Sequence, residues 1–180
     1  MQVLAVIVKT IDTINDWIGK IVAFLLIPAI FITAYEVIMR YFFTAPTIWA
    51  WELNLQFWAA IVLLSGGYVL LKNGHVRVDV VYNMFDIRKR AVLDIMAYLL
   101  IMICMVLVIK YGLNLGIASF LKGERQATVW ASPMWTIRML IPVGCILLFL
   151  QGISETIKSL YIIRGINILT GAKISAEEVK

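Results

Sequence analysis

The chain has 180 residues, 62% of them hydrophobic and 15% charged, with a formal net charge of +5. A soluble domain of this length needs far more polar surface, so the composition excludes a soluble globular fold and makes lipid the solvent. The positive balance does not describe a nucleic-acid surface, because the basic residues lie beside apolar runs and are not gathered in a patch.

Residues 1–17 set Val3, Leu4, Ile7, Ile11 and Ile14 at helical spacing, with Lys9, Asp12 and Asp16 opposite. Two arrangements fit this pattern equally: an amphipathic helix on the cytoplasmic interface, or a direct extension of the first span. The first apolar run, 18–39, meets the roughly 20 residues needed to cross a bilayer. Its length, the acidic Asp12 and Asp16 before it, and Pro46 directly after Thr44-Ala45 all argue against a cleaved signal peptide. Near its end, Glu36 and Arg40 are four apart, which puts them on one helix face within salt-bridge reach. Such a pair could serve an ion or proton site, or fix helix packing or a subunit interface. Its self-neutralising character favours the structural role.

The short loop that follows carries Pro46, Trp49 and Trp51, the tryptophans being suited to a headgroup boundary. Glu52 opens the second span, 53–71. It can lie against the helix N-terminal dipole or bond to Arg40 or to a partner. After that span come His75, Arg77 and Asp79, then the basic Arg88-Lys89-Arg90 run before the third span, 91–118. The second outer loop, 119–133, contains Lys122, Glu124 and Arg125, and the fourth span covers 135–157. Lys110 and Arg138 lie inside or near spans, where a charge must face something other than lipid.

Lys9, Lys20, Lys72, Arg77, Arg88, Lys89, Arg90, Lys158, Arg164, Lys173 and Lys180 fall on one side of these spans, against Arg40, Lys122 and Arg125 on the other. The bias places both termini and the middle loop in the cytoplasm. The fold expected is an all-α integral membrane protein, with residues 1–180 forming one four-helix membrane domain.

Candidate chemistry is sparse. Cys104 and Cys145 fall within spans, outside any CxxC pair, and read as small buried apolar residues. A single histidine, His75, excludes haem held by two histidines of one chain, and the further ligands for a zinc or di-iron site are missing. No Ser-His-Asp set, phosphate loop or HExxH motif is present. The chain is therefore expected to be no enzyme and to carry no cofactor or metal. Nor does it show the paired halves of a transporter working alone, Gly66-Gly67 and Pro142 being the candidate breaks in its spans.

The segment Gly74-His75-Val76-Arg77-Val78-Asp79 resembles the GH-[VI]-x-[VI]-D element that follows the second membrane helix in DctQ-type small subunits of TRAP transporters. The likeness extends over nearly the whole chain: Glu36 with Arg40, Trp51-Glu52, Phe57-Trp58, Gly66-Gly67, Asp94, Ser132-Pro133, Trp135, Pro142 and Gln151 follow in the family's order. The resemblance implies a multi-pass subunit of the bacterial inner membrane that braces a large elevator-type permease. That permease imports organic acids or related solutes on a Na⁺ gradient. The implied partners are the large membrane subunit, a periplasmic substrate-binding protein and membrane lipid. In that setting Glu36, Arg40 and Glu52 would lock the outer end, and His75, Arg77 and Asp79 the cytoplasmic end. Trp49, Trp51, Lys122, Glu124 and Arg125 would meet the docked binding protein. A face carrying glycine and polar residues would pack on the large subunit. The alternatives are a membrane anchor for a redox enzyme and a small autonomous transporter coupled through Glu36.

Overall fold

The computed structural model describes residues 2–72, 74, 85–166 and 168. Among the described residues six helices follow in order: α1 Gln2–Phe24, α2 Leu26–Tyr41, α3 Ala50–Leu64, α4 Gly66–Leu71, α5 Ile87–Leu121 and α6 Trp135–Ile163. They combine into four segments long and apolar enough to cross a membrane, Gln2–Tyr41, Ala50–Leu71, Lys89–Leu121 and Trp135–Ile163.

The first segment is longer than the 18–39 run suggests. Helix starts at Gln2 and continues to Tyr41 with one interruption, at Leu25. Pro28 explains the break, since it has no N–H to donate and its ring crowds the carbonyl of Phe24. The chain instead bonds Leu25 N–H to the Val22 carbonyl at 3.0 Å and Ala29 N–H to that of Leu25 at 3.3 Å. Sequence reasoning passed over Pro28 and weighed Gly66-Gly67 and Pro142. The α3–α4 junction does fall at Ser65, beside Gly66, whereas α6 runs unbroken through Pro142. At 1.5 Å per residue the 40-residue segment extends about 60 Å, twice the hydrocarbon thickness, so part of it must lie beyond that core.

Helix α6 is the axis. It runs antiparallel to α5, with Gly112 against Pro142, Gly116 against Met139 and Gly152 against Met102. It runs parallel to α3 and α4, where Gly144 lies on the backbone of Leu63. Helix α1 crosses its second half antiparallel, pairing Asn15 with Gln151 and Val8 with Tyr161. Helix α2 returns against α3, and α5 packs chiefly on α6. Small residues let these backbones approach where lipid gives no hydrophobic drive for association. Gly67, Gly112, Gly116, Gly144 and Gly152 are thus taken up inside the chain. They do not form the outward glycine face expected for a partner.

Polarity is inverted relative to a water-soluble bundle. On α1 the apolar Val3, Ile7 and Ile14 are exposed, whereas Asn15 is buried among helices. On α6 the buried side chains include Gln151, Ser154, Glu155 and Ser159. Lipid accepts the apolar face and penalises the polar one, so polar groups turn inward to find partners.

Candidate functional site

Two polar clusters, at opposite ends of α6, hold the helices in register. Arg138 and Lys158 mark their levels, and the helix rises about 30 Å between them, close to the hydrocarbon thickness.

The cluster near Lys158 centres on Gln151, which is 0% exposed. Its Nε2 donates to Asp12 Oδ1 and to Glu155 Oε1, both at 2.9 Å, and its Oε1 accepts from Asn15 Nδ2 at 2.9 Å. Ser154 Oγ donates to Asp12 Oδ1 at 2.7 Å. Lys158 Nζ lies 2.8 Å from Asp12 Oδ2 and 2.7 Å from Glu155 Oε1, bridging the two carboxylates. Asn15 Oδ1 has no hydrogen-bond partner among the described residues and abuts Gly67, where any Cβ would collide with it. Beside this cluster Asp16 holds Lys20 at 2.5 Å and Lys72 at 3.0 Å. The Asp16 carboxylate raises the Lys72 ammonium above its ordinary range, which keeps it charged. Sequence reasoning missed this network. Its signal was present as polar residues recurring at helical spacing, Asp12, Asn15 and Asp16 on α1 and Gln151, Ser154, Glu155 and Lys158 on α6.

At the other end Glu52, 2% exposed, accepts from the Ser132 N–H at 2.9 Å and from the Thr128 hydroxyl. It thereby ties the first turn of α3 to the loop before α6, and not to Arg40. That loop folds back on itself, with Gln126 N–H donating to the Ser132 carbonyl and Met134 N–H to that of Glu124. Gly123, at φ 61°, makes the left-handed exit from α5 that a side chain would disfavour. Glu124 pairs with Arg138, which accounts for the arginine one turn into α6. Arg125 Nη1 donates to the Ala131 carbonyl at 3.3 Å.

Glu36 and Arg40 form their ion pair at 2.6 Å, and Glu36 Oε2 also accepts from the Thr47 N–H at 3.1 Å and from its hydroxyl. The pair therefore clamps α2 to the loop leading into α3. Asn54 Nδ2 donates to Thr33 Oγ1 at 2.9 Å across the same two helices. A pocket of about 250 Å³ opens there, lined by Thr33, Glu36, Arg40, Trp51 and Asn54. Trp49 stacks on Tyr35, whereas Trp51 and Lys122 are exposed. The structure thus joins Glu36 with Arg40 but holds Glu52 separately, with Thr128 and Ser132. His75, Arg77 and Asp79 lie outside the described residues.

The family model for the DctQ component of tripartite ATP-independent periplasmic transporters matches residues 29–161. The chain belongs to this DctQ family. No curated protein matches it. As a DctQ component it is the small membrane subunit of a TRAP transporter, a multi-pass protein of the inner membrane. The match begins just after the break at Leu25 and takes in α3 to α5 whole, with nearly all of α2 and α6. It leaves out α1, which nevertheless supplies Asp12 and Asn15 to the buried network.

Proposed function

We propose that this DctQ subunit is a bracing scaffold: one membrane unit, with both termini cytoplasmic, that holds the large permease subunit in place during Na⁺-driven import of organic acids or related solutes. In this reading it contains no substrate or ion site. Glu36, Arg40 and Glu52 stiffen the periplasmic end, and His75, Arg77 and Asp79 belong to the cytoplasmic end. Trp49, Trp51, Lys122, Glu124 and Arg125 border the surface that the binding protein approaches.

One observation supports this above the others. Every acidic side chain among the described residues is already engaged within the chain: Asp12 and Glu155 with Lys158, Asp16 with Lys20 and Lys72, Glu36 with Arg40, and Glu124 with Arg138. Glu52 and Asp86 hold backbone N–H groups, and Asp94 also has a partner. A cation-coupled carrier needs carboxylate or carbonyl oxygens free to take the ion, whereas a scaffold needs them locked.

The test is uptake, in proteoliposomes, of a radiolabelled organic acid that the cognate binding protein captures. The large subunit with this chain should transport, either subunit alone should not, and Glu52→Ala should cut uptake severalfold by freeing the loop that Glu52 anchors. Transport by this chain alone, or full transport without it, would overturn the reading.

A further inference from the structure

Lys110 lies well inside α5 and differs from the basic residues paired nearer the ends of the spans. Arg40, Arg138 and Lys158 each hold a carboxylate, whereas Lys110 has no hydrogen bond or ion pair among the described residues, and its side chain is exposed. Asn114, one turn further along, is likewise exposed and unpartnered there. At 100° per residue both lie on the side of α5 opposite Gly112 and Gly116, the residues that touch α6. Around them Val106, Leu107, Tyr111 and Ile117 are exposed, in the most apolar of the four segments.

Depth decides what can meet this face. Gly116 packs beside Arg138, so Lys110 lies about 9 Å inward from that level and about 20 Å from the level of Lys158. Side chains on a helix tilt toward its N-terminus, which for α5 is away from the nearer end. Snorkelling to the headgroups on the Arg138 side therefore runs against the side chain's own direction. Acyl chains offer no acceptor at that depth. Among the described residues, a second copy of the chain offers no carboxylate that is not already engaged.

We infer that the outward face of α5, centred on Lys110 and Asn114, docks a carboxylate-bearing membrane helix of the large subunit. The ammonium meets the carboxylate, and Asn114 meets a backbone or side-chain polar group beside it. The inference rests on the bracing reading and specifies where the two subunits join.

The experiment places p-benzoylphenylalanine at Leu107 or Tyr111, leaving Lys110 intact, and irradiates membranes containing both subunits. Adducts should map to one large-subunit helix with a carboxylate within a turn of the attachment point. Lys110→Glu should lower co-purification of the large subunit by about tenfold or more, and converting the mapped carboxylate to lysine should restore it. Adducts only to lipid or to a second copy of the chain would overturn the inference, as would unchanged co-purification of Lys110→Glu and Lys110→Met. Thermal unfolding of the subunit alone guards against a folding artefact. Lys110→Met should melt at or above the wild-type temperature, and a lower midpoint would reveal an internal partner and sink the idea. If the wild-type subunits co-purify while Leu107 and Tyr111 cross-link elsewhere, bracing stands and this face is excluded. If they never co-purify, both readings fall.

Discussion

Replacing Gln151 with leucine is expected to destabilise the folded subunit by about 2–3 kcal/mol, although the two side chains are similar in size. The loss is electrostatic. Gln151 makes three side-chain hydrogen bonds in a fully buried position, and two of them reach the carboxylates of Asp12 and Glu155. Leucine leaves both carboxylates to share Lys158, with Asp12 also keeping Ser154, and leaves Asn15 Nδ2 with only the Ile11 carbonyl at 3.2 Å. Neutral hydrogen bonds between membrane helices average about 0.6 kcal/mol, so a cost several times larger would come from the charges. Unfolding in mixed detergent micelles measures it. The double variant Asn15→Ala/Gln151→Leu should cost less than the sum of the single changes, because it removes both ends of one bond. A cost for Gln151→Leu below about 0.5 kcal/mol would mean the network is not held as a unit.

Gly144→Val is expected to be at least as damaging, at about 3 kcal/mol or more, for a steric reason. A Cβ at position 144 would come within 2.8 Å of the Leu63 carbonyl carbon and closer still to its oxygen. Backbone cannot swing aside as a side chain can, so α3 would have to move off α6, carrying Glu52 and its loop contacts with it. Gly66→Ala is the control. The nearest atom to its added Cβ would be Leu148 Cδ2 at 3.9 Å, an ordinary contact, and a helical alanine should be neutral or stabilising by up to about 1 kcal/mol. Equal effects from the two substitutions in the same assay would contradict the packing described.

Local features of this chain were legible in its sequence, and distant ones were not. Four apolar runs of sufficient length announced four spans, because bilayer thickness sets a length that composition alone can meet. The Glu36–Arg40 pair was legible because helical spacing puts fourth neighbours together. Glu52 could be expected to hold something, but Thr128 and Ser132 are far off in sequence and no spacing rule connects them. The polar side of α1, with Lys9, Asp12 and Asp16, fitted an interfacial helix and an extension of the first span equally. Only the fold turns Asp12 and nearby Asn15 toward α6. Pro28 was visible and overlooked, since an unbroken hydropathy profile hides a missing backbone donor.

The pairing of α1 with α6 carries a consequence for biogenesis. Asn15 bonds Gln151 across 136 positions, so this contact of α1 must wait during synthesis until α6 has been made. Until α6 is made, Asp12 and Asn15 cannot be sheltered by it, and a lone α1 would have to present them to lipid or keep them in the water layer. The N-terminal helix therefore completes its docking last, as a latch closing over helices already inserted. Loss of α6 would leave that latch open and its acidic face displayed. Membrane quality control would then have a ready sign of an unfinished subunit.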